Sequence, residues 1–68
     1  MRKFSVEMSL ILNGEYYPES DIHIGTFNNF KEAFTVANRI SVQDPKLYEC
    51  YVYELNENYE IVKTTRVF

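Results

Sequence analysis

One cysteine, one histidine, two glycines and two prolines in 68 residues exclude several kinds of small protein at once. Cys50 has no partner for an intramolecular disulfide, whereas secreted domains of this size usually carry several bridges, so a reducing cytoplasm is the expected compartment. His23 stands alone, without the second His or Cys at ligand spacing that a zinc site requires. The longest aliphatic run, residues 10–12, is far short of the roughly 20 residues that span a bilayer. Met1-Arg2-Lys3 leads into Phe-Ser-Val-Glu-Met-Ser rather than the apolar core of a signal peptide. The expectation is a complete, soluble, cytoplasmic chain forming a single domain over residues 1–68.

Catalytic patterns are missing too. There is no Gly-rich phosphate loop, no Gly-x-Ser-x-Gly and no Cys-x-x-Cys. Glu15, Glu19 and Asp21 surround Pro18 but lack the Asp-x-Asp-x-Asp-Gly spacing of a calcium loop, so they read as solvating charge. Cys50 lies mid-strand between Tyr48 and Val52, with no cation or helix N-terminus implied nearby to activate it. Asp21 and His23 share a strand face, which reads as a surface contact. A chain this short buries only about 60% of its unfolded surface and can scarcely enclose a dry pocket as well. No enzyme, cofactor or metal is expected.

Positive charge is absent from two long stretches. Between Lys3 and Lys31 lie Glu7, Glu15, Glu19 and Asp21 without a Lys or Arg. Between Lys46 and Lys63 lie Glu49, Glu54, Glu57 and Glu60, again without one. The formal charge of −3 therefore conceals a segregated molecule. Direct nucleic-acid binding needs a basic patch, which the Tyr-rich segments lack.

What is present is a folding composition, 46% apolar and 16% aromatic. Residues 3–12 alternate, with Phe4, Val6, Met8, Leu10 and Leu12 opposed to Lys3, Ser5, Glu7 and Ser9, the pattern of a half-buried strand. Ile11 breaks the polar side, which marks that face as incompletely solvated. Asn13-Gly14 signals a tight hairpin. The return strand, residues 15–25, contains Pro18 and so belongs at an edge, broken near residues 18–20 and resuming at 22–24. Phe30, Ala33, Phe34, Ala37 and Ile40 form one helical stripe. Asn28 or Asn29 caps the helix, Asn29 with Glu32 resembling a capping box, and the helix ends before Asp44-Pro45. Residues 47–55 and 59–68 read as a second hairpin around Asn56-Glu57-Asn58, a turn without glycine.

The order is β-β-α-β-β, an α+β fold with an antiparallel sheet of about four strands and one helix packed on one face. The core is expected from Phe4, Val6, Met8, Leu10, Phe30, Phe34, Ala37 and Ile40. One helix leaves the second sheet face without cover, while Tyr16, Tyr17, Tyr48, Tyr51, Tyr53 and Tyr59 exceed what so small a core can hold. Tyrosine between carboxylates suits a protein-contact surface, although each alone is also a good strand former. Carboxylates arrayed along hairpins can imitate DNA phosphates and occupy a basic groove, especially if a homodimer doubles them.

The stretch from Gly25 to Asn38, Gly-Thr-Phe-Asn-Asn-Phe-Lys-Glu-Ala-Phe-Thr-Val-Ala-Asn, resembles the strand-to-helix segment of small accessory proteins from bacteriophages and mobile elements of AT-rich bacteria. So does the stretch from Tyr51 to Val62, Tyr-Val-Tyr-Glu-Leu-Asn-Glu-Asn-Tyr-Glu-Ile-Val. That resemblance implies a protein that binds and inhibits a host factor, as members of the group do to RNA polymerase, nucleases or nucleoid proteins. The expected role is a non-enzymatic, homodimeric binding module that occupies the basic surface of a host bacterial DNA-binding protein. Glu15, Glu19, Asp21, Glu54, Glu57 and Glu60 are its candidate electrostatic contacts, with Tyr51 and Tyr53 on the sheet face. The alternative is a structural subunit whose sheet face self-associates, its acid serving solubility.

Overall fold

The computed structural model describes residues 2–40 and 47–68. Its elements are β1 (Lys3–Leu12), β2 (Glu15–Tyr16), β3 (Ile22–Phe27), α1 (Phe30–Asn38), β4 (Tyr48–Leu55) and β5 (Ile61–Arg66). The class is α+β, and the strand-strand-helix-strand-strand order follows the periodicities of the sequence. A 3-10 turn at Pro18–Ser20 separates β2 from β3.

β1 lies inside the sheet. On one side it pairs with β4 in unbroken antiparallel register, from Lys3 opposite Leu55 to Leu10 opposite Tyr48. On the other it pairs with β2 near its end and with β3 along its first half. β5 follows β4 as the outer strand. The second hairpin thus stands beside the first, a placement that alternation alone leaves open.

Local chemistry explains the first hairpin. Asn13 and Gly14 both take positive φ, 54° and 79°, as a two-residue turn needs. Pro18 opens the 3-10 turn, where its missing N–H leaves no bond unmade. The ladder partner that Leu10 loses there is replaced, because its N–H donates to Ser20 Oγ at 3.0 Å. β3 then resumes with a bulge opposite Val6 and Glu7. A Cβ on Gly25 would come within 3.1 Å of the Phe27 ring, so glycine lets that ring fold back toward the core.

Asn29 caps α1, its Oδ1 accepting the Glu32 N–H at 2.8 Å. The helix stops at Asn38; Asp44 and Pro45, where its end was expected, lie outside the described residues. Ala33 and Ala37 are fully buried against Val6, Cys50 and Val52 of β1 and β4. Small side chains on the helix let its backbone approach the sheet closely. Phe4, Phe27, Phe34, Ile40, Val67 and Phe68 pack around this centre.

Two expected core residues sit at its rim. Phe30 is 39% exposed, its ring stacked on Phe34 at 5.5 Å and edge-on to Phe4 at 6.1 Å. Leu10 is half-buried. A nine-residue helix is about 13 Å long, while a ten-residue strand extends about 33 Å, so α1 cannot cover all of β1.

The second hairpin solves its lack of glycine with Asn56, whose Oδ1 accepts the N–H groups of Asn58 and Glu60 at 2.9 and 3.0 Å. The left-handed residue is Tyr59, at φ 61° and 71% exposed. Tyr59→Gly is expected to raise stability by up to about 1 kcal/mol in urea denaturation, by relieving that conformation. Ala37→Leu is expected to lower it by about 1–3 kcal/mol, since the larger side chain must lift α1 off Val6, Cys50 and Val52 or strain the packing there.

Candidate protein-binding face

Alternation along β1 sends Phe4, Val6, Met8 and Leu10 toward α1, and Lys3, Ser5, Glu7, Ser9 and Ile11 to the opposite face. The β1–β4 register brings Tyr53, Tyr51 and Glu49 beside Ser5, Glu7 and Ser9 there. Tyr16 of β2 lies beside Ile11. Thr64 and Arg66 of β5 lie beside Tyr53 and Tyr51. Thr26 and His23 of β3 complete the far side, opposite Ser5 and Glu7.

This face is not flat. Ser5 and Ser9 are only 4% and 8% exposed, although α1 packs on the other side of the sheet. The larger side chains beside them stand above and shade them. Ser9 and Ile11 form the floor of an open groove of about 320 Å³, with Tyr16 on one wall and Glu49, Tyr51 and Tyr53 on the other. The Tyr51 and Tyr53 rings stack at 5.9 Å with planes 21° apart.

Hydroxyls supply the hydrogen bonds to the carboxylates. Asp21 accepts from Ser9 Oγ at 2.7 Å and from the Tyr16 hydroxyl at 2.6 Å. Glu49 accepts from the Tyr51 hydroxyl, and Glu7 from Ser5 Oγ at 3.1 Å. His23 bridges β1 and β3, its Nδ1 and Nε2 each 3.2 Å from the hydroxyls of Ser5 and Thr26. The one ion pair of these carboxylates among the described residues is long, Arg66 to Glu49 at 3.9 Å.

These contacts fix the protonation states. The Tyr16 and Ser9 hydroxyls hold the Asp21 carboxyl below the usual carboxylate range. The same bond to Asp21 raises the Tyr16 phenol, and the bond to Glu49 raises that of Tyr51. Burial raises Tyr53, aided by the nearby charges of Glu7 and Asp21. At neutral pH the face therefore presents the protonated phenols of Tyr16, Tyr51 and Tyr53 beside the ionised carboxylate of Asp21.

The sequence-derived candidates are divided by this geometry. Asp21, Tyr51 and Tyr53 meet on the open face. Glu15 and Glu19 lie by the first turn, at the Leu12 end of β1, while Glu57 and Glu60 lie by the second turn, at the Lys3 end. Glu54 is opposite Phe4, on the helix side, and its carboxylate is held by the Arg2 guanidinium. Tyr16, one of the six tyrosines in excess of the core, joins Asp21, Tyr51 and Tyr53 there, as do Glu7, Ser9 and Glu49, for which the sequence carries only the hint of Ile11 on an incompletely solvated face. Cys50 is fully buried, and burial raises its thiol. Among the described residues no group of His, Cys, Asp or Glu could hold a metal ion. No described helix is long and apolar enough to cross a membrane.

A group whose folded pKa is depressed adds stability above its unfolded pKa and loses it as pH falls through the folded value. For Asp21 that window lies below about pH 4. Tyr16→Phe is therefore expected to raise the Asp21 pKa in a carboxyl-carbon NMR titration, and Asp21→Asn to flatten the acid limb of the stability profile. An unmoved Asp21 titration in the Phe variant would contradict the hydrogen-bond account.

No family model, curated protein or solved structure matches the chain.

Proposed function

We propose that this chain is a small acidic, non-enzymatic protein-binding module that works in the host cytoplasm as a phage-type inhibitor. It occupies the basic, DNA-binding surface of a host bacterial protein. The observation that carries this reading is the open sheet face, where Glu7, Asp21 and Glu49 stand among tyrosines, with Arg66 only loosely paired to Glu49, and with Lys3, at one end of the face, held by Asn28 Oδ1. Complementary charge steers a basic partner to such a surface, and tyrosine rings add contact area at low entropic cost.

The remaining acid supports a mimic of duplex DNA. Carboxylates run from Glu15 and Glu19 at one end of β1, across the open face, to Glu57 and Glu60 at the other. The long dimension is 37 Å, close to the helical repeat of DNA at about 34 Å. A second reading, self-association as a structural subunit, draws support from the outer strand β5, where Ile61 and Val62 are 57% and 50% exposed.

Capture from a nuclease-treated bacterial lysate tests the two. A mimic is expected to hold a basic protein that elutes as salt rises, and that excess duplex DNA displaces. Retention of the partner against both salt and duplex DNA would contradict mimicry. Recovery of this chain alone, with a dimer in sedimentation, would favour the structural subunit.

A further inference from the structure

The groove on the open face has a more specific chemistry than negative charge. Its lining includes three tyrosines and one carboxylate, Glu49, which accepts from the Tyr51 hydroxyl, while Asp21, outside the lining, accepts from the Tyr16 hydroxyl. We propose that the groove between Tyr16 and the Tyr51–Tyr53 pair receives one arginine side chain from the basic partner. This inference rests on the protein-binding reading above and assigns the residue that the site selects.

Several observations favour arginine over other occupants. The guanidinium is planar, delocalised and weakly hydrated, so it stacks on aromatic faces while donating in its plane. An ammonium is compact and strongly hydrated, and gains less from aromatic rings in an open groove. A nucleotide could stack there, but Glu7, Asp21 and Glu49 oppose its phosphates. A purely apolar side chain would leave Glu49 with only its long pair to Arg66, and Glu7 and Asp21 with hydroxyl donors alone. Acceptor capacity also remains. One Glu7 oxygen has no partner among the described residues, and Glu49 Oε2 faces Arg66 only at 3.9 Å, beyond hydrogen-bond length. The Tyr53 hydroxyl likewise has no hydrogen-bond partner among the described residues, and it lies within electrostatic reach of Glu7 and Asp21.

The test is an NMR titration of the full-length, nitrogen-15-labelled chain with acetyl-Gly-Arg-Gly-amide. Its controls replace arginine by lysine or by citrulline, the uncharged isostere. Saturable shifts are expected at Ser9, Ile11, Tyr16, Glu49, Tyr51 and Tyr53, with lysine about threefold to tenfold weaker and citrulline at least tenfold weaker. The double variant Asp21→Asn, Glu49→Gln removes both charges at nearly constant shape, its amides still able to accept from Tyr51 and from one of Ser9 and Tyr16 while donating to the other hydroxyl, and is expected to lose those shifts while its spectrum stays dispersed. Equal binding of citrulline, shifts centred outside the groove, or undiminished binding by the double variant would overturn the proposal. A nona-arginine peptide separates the two levels of inference. If it perturbs the open face in a salt-dependent way while the tripeptide does not bind, the arginine groove falls and the acidic module stands. If neither binds, both fall.

Discussion

The pairing of β1 with β4 is the constraint on which the rest of the molecule depends. Eight consecutive residue pairs, without a bulge, tie the first hairpin to the second. Because a strand alternates its side chains, that single register decides both faces at once. It places Val6 against Val52 and Met8 against Cys50 on one side, and Ser9 against Glu49 and Glu7 against Tyr51 on the other. A slip of one residue would turn the core outward and scatter the tyrosine groove. The same eight pairs therefore serve stability and surface chemistry together.

A second consequence is economy of cover. The chain has one short helix, and it lies close to the sheet because Ala33 and Ala37 are small. The core it encloses is modest, so stability is expected to be marginal, as in other domains of this size. The opposite face must then be acceptable to water without a helix above it. Hydroxyl–carboxylate pairs meet that need: Ser9 and Tyr16 with Asp21, Tyr51 with Glu49, Ser5 with Glu7. They leave the face polar enough to stay in water while its tyrosine rings remain open to contact. On the present reading, the solution to the exposed-face problem and the recognition surface are the same set of residues.

Much of the fold was legible in the sequence because its signals are local. The ten-residue alternation of β1, the Asn13-Gly14 turn, the break at Pro18 and the Asn29–Glu32 cap each follow from neighbours in the chain. The site was less legible because it depends on register. Alternation marks Ser5 and Ser9 as polar and solvent-facing, yet both are shaded by residues that only the pairing of β1 with β4, β3 and β2 brings near. Glu54 was grouped with Glu57 and Glu60 by charge. Its parity, shared with Cys50 and Val52, already put it on the helix side, where Arg2 meets it. Glu49 shares the parity of Tyr51 and Tyr53 and could have been recognised the same way. The tyrosine at positive φ had no sequence signal, because Asn56 organises that turn through its side chain.

The face fixed by the odd-numbered residues of β1 is the proposed working surface of the protein. Cross-saturation NMR of the deuterated chain, bound to the partner captured from lysate, maps the contact residue by residue. Saturation is expected at Ser9, Ile11, Tyr16, Glu49, Tyr51 and Tyr53. Saturation concentrated on the outer helix residues Lys31, Thr35 and Asn38, or along the edge of β5, would contradict it.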